Sequence, residues 1–247
     1  MSIVPDDWQP SADLLAGRVI LVTGAGDGIG RAVAKAAAGL GATIVLLGRT
    51  VARLERVYDE IEQAGGPQPA IYPMDLQGAT PQDYTNLAET LEKAFGRLDG
   101  LLHNAAILGA LTPIVHYEVE HWYRVLQVNL NAPFMLTHAC LGLLHTAEDA
   151  SVVFAADTVG RHGRAYWGAY GVSKAGIENL AQILADELEA NTAIRVNSVD
   201  PGPVRTRLRR QAYPAEDGSK LAAPEDVVNP FLYLLGPDSR GITGQSL

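Results

Sequence analysis

Short runs of apolar and β-branched residues alternate along this chain with longer segments of helical periodicity. The runs that predict buried parallel strands are 18–24, 42–48, 98–104, 150–156 and 194–200, with 69–75 as a weaker sixth. Between them the spacing predicts helices, one of which places Leu54, Val57, Tyr58 and Ile61 on a single face. Because parallel strands need right-handed crossovers, the pattern predicts an α/β chain with one doubly wound parallel sheet covered by helices on both faces.

The composition of the chain disfavours several classes of function. The 247 residues carry a formal net charge of −9, which disfavours binding to nucleic acid or to anionic membranes. No apolar run reaches the ~18 residues of a membrane span, and the first residues lack the pattern of a signal peptide. The single cysteine, Cys140, predicts a buried core thiol and fits a cytoplasmic protein. The histidines lack metal-ligand spacing, so we expect no metal site. We therefore expect one cytoplasmic domain over 1–247.

A glycine-rich turn follows the first predicted strand. It reads T-G-x-x-x-G-x-G, with Thr23, Gly24, Gly28 and Gly30, and opens a helix. Glycines let the backbone approach a pyrophosphate, and a helix N-terminus offers free N–H groups and the positive end of a dipole. The position indicates a dinucleotide site rather than a plain tight turn.

The end of the second strand predicts which coenzyme is bound. An acidic residue there would bind the ribose hydroxyls of NAD, whereas an arginine accommodates the additional phosphate of NADP. The sequence has neutral Gly48 followed by Arg49, which favours NADP(H) over NAD. Asp75, after the third strand, is placed either to contact the adenine or to cap a turn.

Several motifs occur in a fixed order and resemble those of the short-chain dehydrogenase/reductase family. They are "TGAGDGIG", "HNAA" at 103–106, Asn129 in "VNLNAPF", "YGVSK" at 170–174 and "DPGPVRT" at 200–206, and the likeness runs from Gly17 to about Gly244. The resemblance implies a Rossmann domain that transfers a hydride to or from a small carbonyl compound or secondary alcohol. It also implies a homodimer or homotetramer, and a chain that continues past "TGQSL" through a final strand.

The resemblance also implies roles for individual residues. Tyr170 would be the general acid/base. Lys174, four residues later on the same helix face, would lower its pKa together with the positive charge of oxidised nicotinamide, and would bind the nicotinamide ribose. Asn129 would hold a water in a proton relay to Lys174. His103 is interpreted as the end of a strand rather than as a base. The residues expected to contact the coenzyme are Gly24, Gly28, Ile29, Gly30, Arg49, Asp75, Leu76, Asn104, Tyr170, Lys174, Pro201, Gly202, Val204 and Thr206.

One position departs from the family pattern. Thirteen residues before Tyr170, where the family has a serine that bonds the substrate oxygen, this chain has Asp157. An ionised carboxylate accepts hydrogen bonds but donates none, and it opposes negative charge on a nearby oxygen. Three possibilities follow: Thr158 supplies the hydroxyl, Asp157 is protonated and donates, or catalysis is impaired. In the last case the chain would be an NADP(H)-binding regulatory or scaffolding protein.

Residues 203–222 are expected to form a lid over the substrate. Arginines 205, 207, 209 and 210, together with Arg161 and Arg164, would either recruit an anionic substrate or lie on a solvated or subunit-contacting face. Tyr166 is predicted to be a pocket wall. Trp167 and Tyr213 would also line a pocket for an apolar or aromatic carbonyl compound, or serve as ordinary packing.

Overall fold

The predicted strands form one sheet in the computed structural model, which describes residues 3–5 and 7–247. Residues 1, 2 and 6, which belong to the predicted domain and to the segment predicted not to be a signal peptide, lie outside the described residues. In the described part, six parallel strands have the order β3-β2-β1-β4-β5-β6. They are β1 (Val19–Thr23), β2 (Thr43–Gly48), β3 (Ala70–Pro73), β4 (Gly100–His103), β5 (Ser151–Ala155) and β6 (Arg195–Val199). The weak sixth run, 69–75, is therefore a strand, at one edge of the sheet.

Helices cover both faces of the sheet, as predicted. The helices are α1 (Gly28–Gly39), α2 (Val51–Gln63), α3 (Pro81–Phe95), α4 (Val119–Leu126), α5 (Ala132–His145), α6 (Thr158–Arg161), α7 (Gly168–Glu189), α8 (Arg207–Ala212) and α9 (Asn229–Leu235). One face packs Leu21, Leu101 and Val152 against α3, α5 and α7. The other packs Ile20 and Leu102 against α1, α2 and α9. Burial of both faces explains why β1, β2 and β4 are apolar nearly throughout rather than alternating.

Local sequence signals set the helix boundaries. At the start of α3, the backbone N–H of Thr80 donates to Asp83 at 2.7 Å, and Pro81 occupies the first turn, where its missing N–H costs nothing. The helix ends at Gly96, whose φ of 71° is the left-handed conformation that glycine tolerates. In α2, Leu54, Val57 and Ile61 are buried, as their spacing predicted.

A five-residue π-helical segment, Gln127–Asn131, joins α4 to α5. Pro133 follows it inside α5 and has no N–H to donate to the preceding turn, which weakens regular α-helical bonding at this point. Asn129 lies in this segment, so an irregular turn of helix positions one of the candidate catalytic residues.

Residues 203–222 form a loop whose two ends pair with each other outside the sheet. Val204 forms an isolated parallel bridge with Ala222, and the N–H of Arg205 donates to the Ala222 carbonyl at 2.9 Å. Between these ends lie α8 and a 3-10 turn, Gly218–Lys220. The bridge fixes both ends of the excursion, so any movement is confined to the residues between them.

Candidate active site

A cleft of about 970 Å³ opens at the carboxyl ends of the strands. The strands β2 and β3 lie on one side of β1 and the strands from β4 onward lie on the other, so the strand order reverses between β1 and β4. Ligands of open parallel sheets bind at this kind of switch point. Every candidate coenzyme contact from the sequence except Gly30 lines the cleft, from the glycine-rich turn at one end to Tyr170 and Lys174 at the other. Of the five candidate catalytic residues, Asp157, Tyr170 and Lys174 line it, whereas Asn129 and Thr158 lie outside the lining.

The glycine-rich turn has the geometry of a phosphate cradle. Gly24 and Gly28 have φ of 67° and 53°, which side chains rarely tolerate. At Gly30 a β-carbon would lie 2.5 Å from the Gly24 carbonyl oxygen and 2.4 Å from Asn104 Nδ2. Asp27 caps α1 by accepting the Gly28 N–H at 2.9 Å. Free backbone donors of the turn therefore face the cleft at the positive end of a 12-residue helix.

Asn104 links this turn to the centre of the sheet. Its side chain donates to the Thr23 carbonyl at 3.1 Å, and its own N–H donates to Thr23 Oγ1 at 3.0 Å. The N–H of Ala105 donates to the same hydroxyl at 3.0 Å. These bonds join the ends of β1 and β4 across the switch point, so Asn104 and Thr23 shape the floor of the cleft.

The corner of the cleft beyond β2 contains two arginines. Arg49 is exposed there, and Arg53, one helical turn later, donates to Asp27 Oδ2 at 2.9 Å. Thr50, which precedes α2, also lines the corner. Arg53 and Thr50 were not predicted from the sequence as site residues. The four-residue spacing of Arg49 and Arg53, about one helical turn, could have indicated that both arginines lie at this corner.

Beyond β3, Asp75 serves the turn as well as the cleft. Its Oδ1 accepts the Gln77 N–H at 3.2 Å, so the carboxylate caps the turn while it lines the cleft. Leu76 is buried beside it and lines the same wall. The structure thus shows the turn cap, and contact of Asp75 with the adenine stays a prediction.

Tyr170 and Asp157 are in direct contact. The phenol of Tyr170 donates to Asp157 Oδ2 at 3.0 Å, and Asp157 Oδ1 accepts the Val159 N–H at 3.0 Å and caps α6. Both oxygens therefore accept hydrogen bonds, which is what an ionised carboxylate does. The carboxylate lies where the family has its serine, at the reacting end of the cleft.

Thr158 faces away from Tyr170. Its hydroxyl donates to Asp200 Oδ2, and Asp200 Oδ1 accepts the Gly202 N–H at 2.9 Å. Of the three possibilities raised by the sequence, substitution of the serine by Thr158 is thus not the arrangement in the structure, because Asp200 binds the hydroxyl. Asp200 was not identified from the sequence as a site residue, although it lines the cleft.

The ammonium of Lys174 is buried beneath the phenol. It donates to the Ala155 carbonyl at 2.6 Å and lies 5.7 Å from the centre of the Tyr170 ring. Burial lowers the pKa of Lys174, and the carboxylates of Asp157, Asp200 and Glu178 oppose that shift.

The pKa of Tyr170 is shifted upward. Burial raises it well above its ordinary value, and the charge of Asp157, its hydrogen bond with Tyr170 and the charge of Asp200 act in the same direction. The lowering of this pKa by Lys174 together with oxidised nicotinamide stays a prediction.

Asn129 lies behind the catalytic residues. Its Oδ1 accepts the Ile107 N–H at 2.9 Å, and its Nδ2 donates to the Ile107 carbonyl at 2.9 Å and to Ser173 Oγ at 3.1 Å. Ser173 in turn donates to the Tyr170 carbonyl at 2.7 Å. Asn129 thus connects the loop after β4 to the turn of α7 that carries Tyr170. The water relay to Lys174 stays a prediction.

Residues 201–206 form the wall opposite Tyr170. Gly202 has a φ of 68°, and Val204 and Pro201 line the cleft beside it. Thr206 caps α8 by accepting the Arg209 N–H at 3.1 Å, and its methyl group would contact a β-carbon at Gly28 at 3.4 Å. This stretch therefore reaches across to the glycine-rich turn.

Some aromatic residues and arginines of and near residues 203–222 line the cleft, and others lie outside its lining. Trp167 and Tyr213 line the cleft, 5.9 Å apart between ring centres, and Arg207 and Arg209 line it from α8. Arg164 donates to the Tyr213 hydroxyl at 2.9 Å, and Arg209 forms a double ion pair with Glu216 at 2.6 Å. Arg205 and Arg210 are exposed and lie outside the cleft lining.

One prediction for this region is wrong. Tyr166 is 58% exposed and lies outside the cleft lining, so it is not a pocket wall. It has a φ of 77°, and its carbonyl accepts the Thr112 N–H at 3.1 Å. Arg161, for which the sequence left two alternatives open, pairs with Glu178 at 3.0 Å and donates to the Leu247 carbonyl, so it contacts α7 and the last residues.

His103 ends β4, as the sequence predicted. It is 5% exposed, stacks on Phe154 at 4.7 Å between ring centres, and its Nε2 lies 2.8 Å from Thr137 Oγ1. Burial lowers its pKa to about 3, so the ring is neutral at physiological pH. Cys140 is a buried free thiol.

Among residues 3–5 and 7–247, no group of three or more His, Cys, Asp or Glu side chains is arranged to hold a metal ion. Within the same residues, no helix is both long and apolar enough to cross a membrane.

A phosphate-cradling turn at the switch point of a parallel sheet, with a tyrosine and a lysine in the same cleft, defines a dinucleotide-binding oxidoreductase. The chain belongs to the short chain dehydrogenase family, whose model matches residues 18–217.

Individual relatives agree over nearly the whole chain. A short chain dehydrogenase structure from Pseudomonas syringae is 56% identical, with a TM-score of 0.96, over 98% of each chain. The uncharacterized oxidoreductase YciK of Escherichia coli K12 is 45% identical over 97% of this chain and 94% of its own length. A short chain dehydrogenase from Escherichia coli CFT073, crystallised with NADPH, is 45% identical, with a TM-score of 0.93, over 96% of this chain and 98% of its own.

Proposed function

We propose that the chain is an NADP(H)-dependent oxidoreductase that acts on a small molecule, with Tyr170 as the proton donor. The observation that carries this proposal is that Tyr170 and Lys174 open into the same cleft as the glycine-rich turn and the Arg49–Arg53 corner. When bound, the reduced nicotinamide supplies a hydride. A related structure that contains NADPH supports the choice of coenzyme.

The residues present fit this coenzyme. A β-carbon at Gly30 would lie 2.5 Å from the Gly24 carbonyl oxygen, so glycine lets α1 begin close against the turn, whose backbone donors would bind a pyrophosphate. Arg49 and Arg53 would hold the additional phosphate of NADP, for which a guanidinium offers paired donors. Asp75, Leu76 and Asn104 would contact the adenine half and the centre of the coenzyme. Val204 and Thr206 would fix the nicotinamide half.

The chain's own groups would handle the proton. The phenol of Tyr170 is protonated at neutral pH and would donate its proton to the substrate, and the Lys174 ammonium beside the ring would offset the upward pKa shift that burial and two carboxylates cause. The Lys174 ammonium lies beneath the same ring and would bind the ribose hydroxyls after leaving the Ala155 carbonyl. Asn129 would hold the water through which Lys174 exchanges its proton.

The lid belongs to the same proposal. With both ends held by the Val204–Ala222 bridge, residues 203–222 would open to admit substrate and close when Tyr213 docks on Arg164 and Trp167. Closing would exclude water from Tyr170.

NADPH oxidation across a panel of ketones, aldehydes, diketones, quinones and imines tests the function. Wild type is compared with Tyr170→Phe, which keeps the ring and removes the proton. We expect kcat to fall at least about 100-fold, as for loss of a general acid, while the Kd for NADPH stays unchanged. Equal activity of Tyr170→Phe on a good substrate would overturn the proposed role.

Assembly into a homodimer or homotetramer is the remaining part of the proposal. Large apolar side chains are exposed on two neighbouring long helices: Phe134 on α5 is 52% exposed, and Val172 and Ile183 on α7 are 48% and 46% exposed. Size-exclusion chromatography with light scattering checks this. We expect Phe134→Glu to dissociate the oligomer, whereas Val115→Glu, at an exposed apolar residue outside both helices, leaves it intact. A monomeric wild type would refute the assembly.

We also propose a cytoplasmic location, supported by the single, buried, unpaired thiol of Cys140. Fractionation of the source cells checks it, and recovery in a membrane or secreted fraction would contradict it.

A further inference from the structure

Carboxylates dominate the charge around the reacting end of the cleft. Asp157 Oδ2 accepts a hydrogen bond from the Tyr170 phenol at 3.0 Å. A second carboxylate, that of Asp200, accepts a hydrogen bond from the hydroxyl of Thr158, the residue after Asp157. Both raise the pKa of Tyr170, so both act on the proton that would be donated. The compensating charge is the ammonium of Lys174, which is bound to the Ala155 carbonyl.

The arginines near the lid do not neutralise these carboxylates. The pKa of Arg209 is raised mainly by its hydrogen bonds with Glu216 and only last by the charge of Asp157, and both carboxylate oxygens of Glu216 bind its guanidinium at 2.6 Å. Arg164 is bound to the Tyr213 hydroxyl. The Asp157 carboxylate thus remains available to accept a hydrogen bond from a ligand.

The walls around this carboxylate are apolar. Trp167 and Tyr213 form one side of the compartment, and Leu108 and Leu208 line it as well. Apolar walls strengthen the interaction of a charge with its partner, because little water screens it. A ligand atom placed beside Asp157 and Tyr170 is therefore favoured if it carries N–H or O–H, and favoured further if it is positively charged.

A carbonyl substrate does not meet this requirement. Its oxygen has no hydrogen to donate to Asp157, and it becomes negative as the hydride arrives, next to an existing negative charge. A protonated C=N group does meet it. Its N–H donates to the carboxylate, and the positive charge on nitrogen is neutralised by the reaction instead of a new negative charge being created.

We propose that this site reduces C=N bonds, its substrate being an imine bound as its iminium ion with the N–H on Asp157. The inference rests on the proposed function and names its substrate class. It assigns Asp157 as the residue that selects C=N over C=O.

The step balances with the reduced nicotinamide coenzyme as the reductant. A hydride forms a C–H bond at the imine carbon, and the electron pair of the C=N π bond moves to nitrogen. For an iminium ion this yields a neutral amine and the oxidised coenzyme. For a neutral imine, Tyr170 first transfers its phenolic proton to nitrogen and regains one through Lys174.

Binding of an unreactive pair of ligands tests the inference directly. Tetrahydroisoquinoline is a cation at neutral pH with N–H donors, and isochroman has nearly the same shape with an oxygen in place of the NH group. We expect calorimetry in the presence of NADP⁺ to show at least about tenfold tighter binding of the amine to wild type. Asp157→Asn keeps the shape of the side chain and its helix-capping ability, and should remove the difference.

Controls separate a local effect from a general one. Asp59→Asn, on the exposed side of α2, removes the same charge far from Tyr170 and should leave the amine preference unchanged. Circular dichroism and NADPH affinity show whether Asp157→Asn is folded. If it is not, Asp157→Ser, which also caps a helix, replaces it in the comparison.

Turnover distinguishes failure of the inference from failure of the proposed function. We expect wild type to reduce dihydroisoquinoline with a kcat/KM at least about tenfold above that for β-tetralone, and Asp157→Ser to reverse the preference. Equal amine and isochroman binding, or a wild-type preference for the ketone, would overturn the inference. Ketone reduction that Tyr170→Phe abolishes would still support the proposed function, with a protonated Asp157 donating to the carbonyl. No turnover of either probe by wild type or Asp157→Ser would overturn both.

Discussion

Gly30 lies so close to Asn104 that a β-carbon at residue 30 would be 2.4 Å from Asn104 Nδ2. The same carbon would lie 2.5 Å from the Gly24 carbonyl oxygen, and that atom belongs to the backbone and cannot rotate away. One methyl group would therefore separate α1 from the glycine-rich turn and disturb the Asn104–Thr23 bonds at the floor of the cleft.

Gly30→Ala should impair both folding and coenzyme binding. We expect a loss of about 1–3 kcal/mol in the free energy of unfolding, typical of overpacking, and at least about tenfold weaker NADPH binding. Urea denaturation and fluorescence titration measure the two effects. Gly39→Ala is the matched control, because a β-carbon there meets nothing within 4 Å and alanine favours the same helix. Similar behaviour of the two variants would contradict the cradle.

Arg49 and Arg53 should determine the preference for NADPH over NADH. Because a charge-assisted hydrogen bond contributes about 1.5–3 kcal/mol, we expect Arg49→Ala or Arg53→Ala to weaken NADPH binding about tenfold or more. NADH lacks the additional phosphate, so its Kd should change less than about twofold. Titration of each variant with both coenzymes gives the ratio.

Arg56→Ala is the control for this pair, since Arg56 is exposed on α2 and lies outside the cleft lining. The Asp27–Arg53 ion pair is itself largely exposed and contributes little stability, so unfolding should hardly change. A parallel loss of NADH affinity in Arg53→Ala would mean that the residue shapes the corner rather than binding the phosphate.

The parts of the molecule that are set by local pattern could be predicted from the sequence. The central strands were predicted because buried parallel strands are mostly apolar, and the edge strand β3, which is only partly buried, gave the weaker pattern. The glycine-rich turn was recognised because backbone conformation and close approach both require glycine. Tyr170 and Lys174 share a helix face by spacing alone, and they do line one cleft.

What could not be predicted depends on contacts between segments far apart in the chain. Thr158 turns from Tyr170 because Asp200, from the end of β6, accepts its hydroxyl. Tyr166 faces outward because its φ of 77° reverses the chain there, which no spacing rule indicates for a tyrosine. The upward shift of the Tyr170 pKa depends first on the burial of the phenol and then on Asp157 and Asp200, which come from other segments of the chain.

Acid should destabilise the protein partly through His103. In the folded chain burial lowers the pKa of His103 from 6.5 to about 3, so below pH 6.5 the unfolded chain binds a proton that the folded chain does not. The free energy of unfolding therefore falls as the pH falls from 6.5 towards 3. Between pH 7.5 and pH 5 this group should account for a loss of about 2 kcal/mol.

His103→Asn isolates this contribution, because asparagine does not titrate and still offers a partner to Thr137. Urea denaturation at both pH values should show that the variant loses about 2 kcal/mol less than wild type on acidification, whatever its stability at pH 7.5. Identical losses in the two proteins would show that His103 is not responsible.

Docking of the lid should depend on the hydrogen bond from Arg164 to the Tyr213 hydroxyl, 2.9 Å long. Tyr213→Phe removes that bond but keeps the ring that packs on Trp167 and on Arg209, 3.9 Å away. Because a partly exposed hydrogen bond contributes about 0.5–1.5 kcal/mol, the closed arrangement should become about 2- to 10-fold less populated.

Trypsin, which cuts after arginine and lysine, should then cleave within 203–222 faster by about the same factor, and NADPH should slow the cleavage in both proteins. Tyr123→Phe, which removes a hydroxyl at an exposed residue outside the lid and outside the cleft lining, serves as the matched control. Unchanged cleavage in Tyr213→Phe would mean that this hydrogen bond does not hold the segment closed.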